Sequence, residues 1–274
     1  MKKWTLSALA YLLVVVIGYY AISTINNKAE VSSASKNMHE EHSNSTHAGK
    51  KETHNDHEAE PNTNSEVQTT LKIEQQEIMI NIKDQQEKPV SDIKINHEKL
   101  MHLIVVSADL STYQHLHPEV KEPGVFTVPH SLEEGEYKAF VDIKPKNLAY
   151  EVKPIPFQIG ESHDLSSHSL QPDSNLTKEI DGHQVTLNPS SLNVNQEIQL
   201  SFDLNGETPE PYLGALGHVV ILDEKAEQYV HVHPQEGEKP VFETKFTEPG
   251  IYKIWAEFKF NGNVSVFPFV VEIK

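Results

Sequence analysis

No cysteine occurs among the 274 residues. That absence removes disulfide scaffolds, thiolate zinc fingers, iron–sulfur clusters, thiol nucleophiles and a lipoprotein attachment site together. Positive charge is scarce, with 23 Lys and Arg against 40 Asp and Glu and a formal net charge of −17. Such a surface repels phosphate backbones, whose affinity for proteins comes largely from Lys and Arg displacing counterions. Nucleic acid is therefore excluded as a partner class. Also missing are a Gly-x-Ser-x-Gly elbow, a phosphate loop and a dinucleotide fingerprint, so nothing in the chain supports catalysis. Histidine, by contrast, is abundant: 16 residues, more than twice the roughly 2% of ordinary usage.

Long apolar runs are confined to the N-terminus. Lys2 and Lys3 precede an uncharged segment, Trp4 to Asn27, whose apolar heart runs from Leu6 to Ile22. Its length is at the lower limit for crossing a hydrocarbon core about 30 Å thick. It is long for a signal-peptide core and lacks a clear small-x-small cleavage site, although Ala29 and Ala34 are candidates. Residues 1–25 are thus read as a signal anchor in preference to a removed signal peptide, with the two Lys held in the cytoplasm and the rest of the chain outside.

Residues 26–70 are rich in Asn, Ser, Thr, Glu and Lys and poor in large apolar side chains. Such a stretch buries too little surface to offset the entropy of ordering and reads as a disordered tether. It carries His39, His42, His47, His54 and His57, several beside carboxylates. That composition fits loose capture of divalent metal and, equally, an ordinary solvated tail.

Beyond the tether, short runs of Val, Ile, Tyr and Phe alternate with Gly, Pro, Asn and Glu clusters, as in Ile78 to Ile82, Tyr137 to Ile143, Ile198 to Phe202 and Ile251 to Trp255. Strands at this spacing predict an all-β chain of sandwich type. An internal repeat sets the domain count. Met101 to Pro118 and Gly217 to Pro234 each place one His 13 residues before a second and 15 before a third, giving His102, His115 and His117 in one copy and His218, His231 and His233 in the other. Phe126 and Phe242 follow at matching places, then Gly135-Glu136-Tyr137 and Gly250-Ile251-Tyr252. A Gly-x-Tyr before a strand suits a corner in which the Tyr hydroxyl caps backbone. The expected architecture is two tandem immunoglobulin-like β-sandwich domains, 71–160 and 179–274, joined by a polar linker over 161–178.

On its His-Leu-His-Pro and His-Val-His-Pro segments, the stretch 95–274 resembles bacterial membrane-anchored or secreted proteins with YtkA-like, immunoglobulin-type β-domains. That resemblance implies a link to copper or heavy-metal handling and a membrane metal transporter as partner.

Each repeat also reads as a hairpin. Pairing His102 with His117 sets Ile104 opposite His115 and puts the turn at Asp109 and Leu110; the same register in the second copy centres its turn on Lys225 and Ala226. Alternate residues of a strand share a face, and cross-strand partners share it too. His102, His115 and His117 then form one candidate metal site, and His218, His231 and His233 a second. Three imidazoles are a ligand set for Cu(II) or Zn(II), and a copper ion is the expected cargo outside the cytoplasm. Met101 adds a candidate thioether ligand, and His97 and His130 lie near the first site. The competing reading makes these His polar edge residues of a non-catalytic surface or interaction module.

Three enzyme patterns do not fit. His97 to His102 is one residue too long for a zinc-protease helix motif, the flanks of His115 lack the cupin glycines, and the Cys pair of copper–zinc superoxide dismutase is missing. Finally, the His-bearing faces carry Ile104 and Val106, and Val220 and Leu222, which are too apolar for open water. The other domain is a candidate cover, an arrangement that brings the two sites toward each other.

Overall fold

A computed structural model describes residues 65–161, 169–230 and 232–274. The expected anchor, nearly all of the tether, residues 162–168 of the linker and His231 lie outside the described residues. The described residues form one compact unit. They contain strands and turns, with no helix among them.

The first half contributes β1 (Val67–Glu74), β2 (Glu77–Asp84), β3 (Ile93–Lys94), β4 (Met101–Ser107), β5 (Tyr113–Leu116), β6 (Glu119–Glu122), β7 (Val125–Pro129), β8 (Gly135–Pro145) and β9 (Pro154–Ile159). The second contributes β10 (Thr177–Ile180), β11 (His183–Pro189), β12 (Glu197–Asp203), β13 (His218–Asp223), β14 (Tyr229–Val230), β15 (Val232–Pro234), β16 (Val241–Lys245), β17 (Gly250–Phe260) and β18 (Asn263–Ile273). All pairings between these strands are antiparallel. The sheets run β1-β2-β7-β6 and β3-β8-β4-β5 with β9 on β8 in the first half, and β10-β11-β12-β16-β15 and β14-β13-β17-β18 in the second.

In each half the two sheets enclose one apolar core, as β-sandwiches do. Ile78, Ile80, Leu103, Val105, Phe126 and Val141 belong to the first core, and Leu187, Leu200, Val219, Ile221, Phe242 and Phe269 to the second. The first strand begins at Val67, inside the stretch read as tether. Val67 is buried, but the polar residues Gln68 to Thr70 that follow it mask the alternation. Both Gly-x-Tyr corners form: Tyr137 Oη donates to Glu133 O at 3.0 Å and Tyr252 Oη to Glu248 O at 2.9 Å.

The central strands of the two inner sheets are covered on both faces. Every residue of β4 is buried, as expected of a strand covered on two sides, whose apolar run is continuous. Its even-numbered side packs into a third apolar cluster made of Ile104, Val106, Leu110 and Phe140 from the first half and Val220, Leu222, Ala226 and Trp255 from the second. These eight are repeat equivalents taken pairwise, so each half presents the same patch to the other. Polar contacts are reciprocal as well. Lys138 Nζ donates to Lys225 O at 2.6 Å, and its equivalent Lys253 Nζ donates to Leu110 O at 2.7 Å. A self-complementary patch used twice is the signature of a two-fold interface, realised here inside one chain. The turns lie at one end of this seam and the histidines at the other.

Candidate metal centre

Hairpin register places the site. In the first half Ile104 faces His115 and Val106 faces Tyr113, and Leu110 makes the turn with positive φ. In the second half Ile221 faces Val230 and Leu222 faces Tyr229, with Ala226 at the equivalent turn position. Both registers are those expected from the repeat. Because alternate residues share a face, His102 and His115 lie on the seam side of their strands with Ile104 and Val106, and so does His218 with Val220.

His102, His115 and His218 offer ligand nitrogens that all lie within 4.8 Å of one another, a group able to hold a metal ion. Among the described residues the set crosses the seam, two imidazoles from the first half and one from the second; His231, expected beside His218, lies outside the described residues. His117 joins its edge, its ring centroid 4.7 Å from that of His115 and 5.1 Å from that of His102. His97, on a tight turn with positive φ, stands 5.8 Å from His218 and 6.1 Å from His102. The repeat equivalents His102 and His218 are stacked at 5.4 Å.

The remaining sequence-level candidates go elsewhere. His233 is exposed and pairs in register with Glu243. The second chain path leaves the β13 sheet after Val230 and enters the sheet of β16 at Val232. In the first half β5 stays in the inner sheet through Leu116, the equivalent of Val232. That earlier crossing keeps His233 out of the group of three, although its charge still acts on His97 at the rim of the site. Met101 is not a ligand either, because it points into the first core. His130 Nδ1 accepts from Leu132 N at 3.2 Å.

Hydrogen bonds define which nitrogens are available. His102 Nε2 donates to Asn96 O at 2.9 Å, which leaves Nδ1 as an acceptor 2.8 Å from His115 Nε2. His115 Nδ1 meets Glu257 Oε2 at 2.7 Å, and Tyr113 Oη donates to Glu257 Oε1 at 3.0 Å. The side chains of His115 and Glu257 are only 2% and 3% exposed. His117 Nε2 and His218 Nδ1 are buried without a hydrogen-bond partner.

This is the outer shell that metal-binding imidazoles need. A ligating His donates its second nitrogen to a carbonyl or carboxylate, which fixes the ring and strengthens the donor. Asn96 O and Glu257 fill those roles for His102 and His115. Buried polar atoms without partners call for an explanation such as an ion, and two of them are imidazole nitrogens at this site. Two ligands on a tetrahedral ion stand about 3.3 Å apart, close to the 2.8 Å between His102 Nδ1 and His115 Nε2, so an ion held by both would take the place of the proton between them.

Glu257 was not among the sequence candidates, though the repeat contains its signal. It lies five residues after Tyr252, as Asp142 lies five after Tyr137, each an acid within the apolar part of its strand. Asp142 faces His102 across its sheet as Glu257 faces His218. The Tyr contacts are exchanged across the seam: Tyr113 reaches Glu257, and Tyr229 Oη reaches Asp142 Oδ2 at 3.4 Å. Burial and the adjoining carboxylates push both phenols well above their ordinary range.

Burial favours the neutral form of His102, His117 and His218. His102 is pushed down to about 4 by desolvation, and His117 to about 3 by desolvation and the neighbouring imidazoles. Desolvation also takes His218 well below its ordinary value. Neutral imidazole is the ligating form.

A stability prediction follows with a definite sign. The unfolded chain takes up a proton on His102 near its ordinary value of 6.5, and the folded protein resists it until about 4. Stability is therefore complete above that ordinary value and is lost as pH falls through this window. His102 alone removes about 2 kcal/mol by pH 5. Urea midpoints of the metal-free protein should be flat above pH 7 and drop steadily toward pH 4; a flat profile throughout would exclude a buried neutral His102.

Fold and site together define an all-β protein of sandwich type with a buried histidine cluster, shared between its halves, that is able to hold a metal ion. The chain belongs to the family described as a domain of unknown function, DUF8832, whose model matches residues 47–159 and 178–274. The family shown is this one, not the YtkA-like group that the histidine segments resemble. No curated protein matches the chain. Among solved structures, the Escherichia coli adhesin FdeC is similar at 12% identity and a TM-score of 0.23, over 77% of this chain and 64% of that one. S. aureus TarS, residues 217–571, is similar at 10% identity and a TM-score of 0.21, over 77% and 56%. The chain thus spans less than two thirds of either structure, and likeness at these scores carries no argument about function.

Proposed function

We propose that the protein binds one transition-metal ion, copper or zinc, at the seam and serves as an extracytoplasmic buffer or delivery module for it. One observation carries the reading: His102 and His115 turn ligating nitrogens toward each other and toward His218, while their outer nitrogens are held by Asn96 O and the Glu257 carboxylate. An all-nitrogen donor set with a carboxylate behind it suits Cu(II) or Zn(II), and the lack of thiolate and thioether donors disfavours Cu(I). On this reading the apolar segment at residues 1–25 anchors the chain, the histidines of the tether gather metal loosely, and a membrane metal transporter receives it. The halves are taken as two immunoglobulin-type domains, 71–160 and 179–274, in keeping with the paired Tyr corners.

A second reading has its own support. The chain of hydrogen bonds from Asn96 through His102, His115 and Glu257 to Tyr113 closes without an ion, so the cluster also serves as a polar pin in a cell-surface interaction module. Dialysis of residues 58–274 against Cu(II) or Zn(II), followed by elemental analysis, separates the two. One tightly held ion per chain is expected, and its uptake should weaken as protons compete below pH 6. No retained metal at pH 7.5 leaves the polar pin as the function of the cluster.

A further inference from the structure

We propose that the ion is a clamp between the two halves, so that loading the site closes the seam and emptying it loosens the histidine end. The inference rests on the metal reading above and concerns what binding does to the molecule.

The two ends of the seam are held by different means. At the turn end, Lys138 and Lys253 each reach a carbonyl of the opposite turn, and Val106, Leu110, Leu222 and Ala226 pack between them. These contacts need no ligand. At the other end the facing groups are imidazoles and carboxylates, tied without an ion by the polar bonds His115–Glu257, Tyr113–Glu257 and Tyr229–Asp142. His102 and His115 come from the first half, and His218 and Glu257 from the second.

Without an ion, His117 Nε2 and His218 Nδ1 are buried there without a hydrogen-bond partner, the latter 4.0 Å from Glu257 Oε2. Each such atom costs about 1–3 kcal/mol relative to a solvated one, a cost relieved when water enters as the halves part. An ion bound to nitrogens from both halves removes that incentive and adds bonds that span the seam. Whatever free energy the ion gains by binding the closed state alone becomes coupling between the halves. The first pair of apolar residues beyond the site, Phe140 and Trp255, then reports on opening.

Trp255 is 2% exposed and stacks on Tyr113 across the seam at 4.8 Å. The chain's only other tryptophan is Trp4, so residues 58–274 carry a single tryptophan, at the position of interest. Zinc is the probe of choice because it does not itself quench. Acrylamide quenching of Trp255 is measured in sub-denaturing urea with and without Zn(II). At free zinc 100 times its dissociation constant, the opening equilibrium should fall about 100-fold, with a matching fall in quenching.

The double variant His218→Ala, Glu257→Gln keeps the first-half imidazoles. It should bind zinc more weakly and show no zinc-dependent protection. Zinc binding by the unaltered protein with unchanged quenching overturns the clamp while leaving the metal reading intact. Full protection in the double variant overturns it as well. A protein that binds no zinc overturns both readings together.

Discussion

Trp255→Ala is expected to cost about 3 to 5 kcal/mol of stability, the range for truncating a fully buried large aromatic. The ring fills the seam, stacks against Tyr113 at 15° between planes and lies under the Lys253 ammonium at 5.4 Å. Its loss leaves Ile104, Val106 and Phe140 of the opposite half facing a void, since neither sandwich can collapse across a seam set by its own core. Trp255→Phe is the control, because Phe stands at the equivalent position of the first repeat, and it should cost much less. Urea unfolding followed by circular dichroism measures both. A loss below 1 kcal/mol for the alanine variant would mean that the halves do not depend on this contact.

His102→Ala should weaken zinc and Cu(II) binding by at least 100-fold. This nitrogen stands at the centre of the group, 2.8 Å from that of His115 and within ligand range of His218. His117 and His97 stand at the rim of the group, farther from its centre than His102. Glu257→Gln keeps the shape and removes the charge behind His115, and about a 10- to 100-fold loss is expected, as for other outer-shell partners. His233→Ala, on the exposed β15, should leave affinity within twofold. Competition against a chelator of known affinity ranks the three, with circular dichroism as the check on folding. Equal affinity for His102→Ala and the unaltered protein would place the ion elsewhere.

Much of the local structure was legible in residue order. Alternation of Val, Ile and Phe gave away the strands, because a half-buried strand repeats its apolar side every two residues. The spacing of His102 to His115 was enough to derive the hairpin register and its turn. Ile104, Val106, Val220 and Leu222 announced a covered face, since so much apolar surface beside histidines is not left in water. The carboxylates were harder to find. Asp142 and Glu257 look like ordinary polar interruptions until the repeats are aligned on their Gly-x-Tyr corners and both acids fall at the same step.

The partition of the histidines could not be read from spacing. Within each repeat three His look equivalent, and local geometry alone favours two separate sites. The chain itself determined which faces are apolar, where the hairpins turn and which imidazoles share a strand face, because those follow from backbone period and side-chain chemistry. Tertiary structure decided that the two His-bearing faces meet, so that His218 completes the pair His102 and His115 and Glu257 orients a histidine 142 residues away in sequence. It also decided that His233 does not join the group of three, because β15 pairs with the outer sheet instead of continuing beside β13. The physical reason is that such choices depend on how two patches fit against each other. That quantity belongs to the pair of surfaces and is written in no single stretch of the chain.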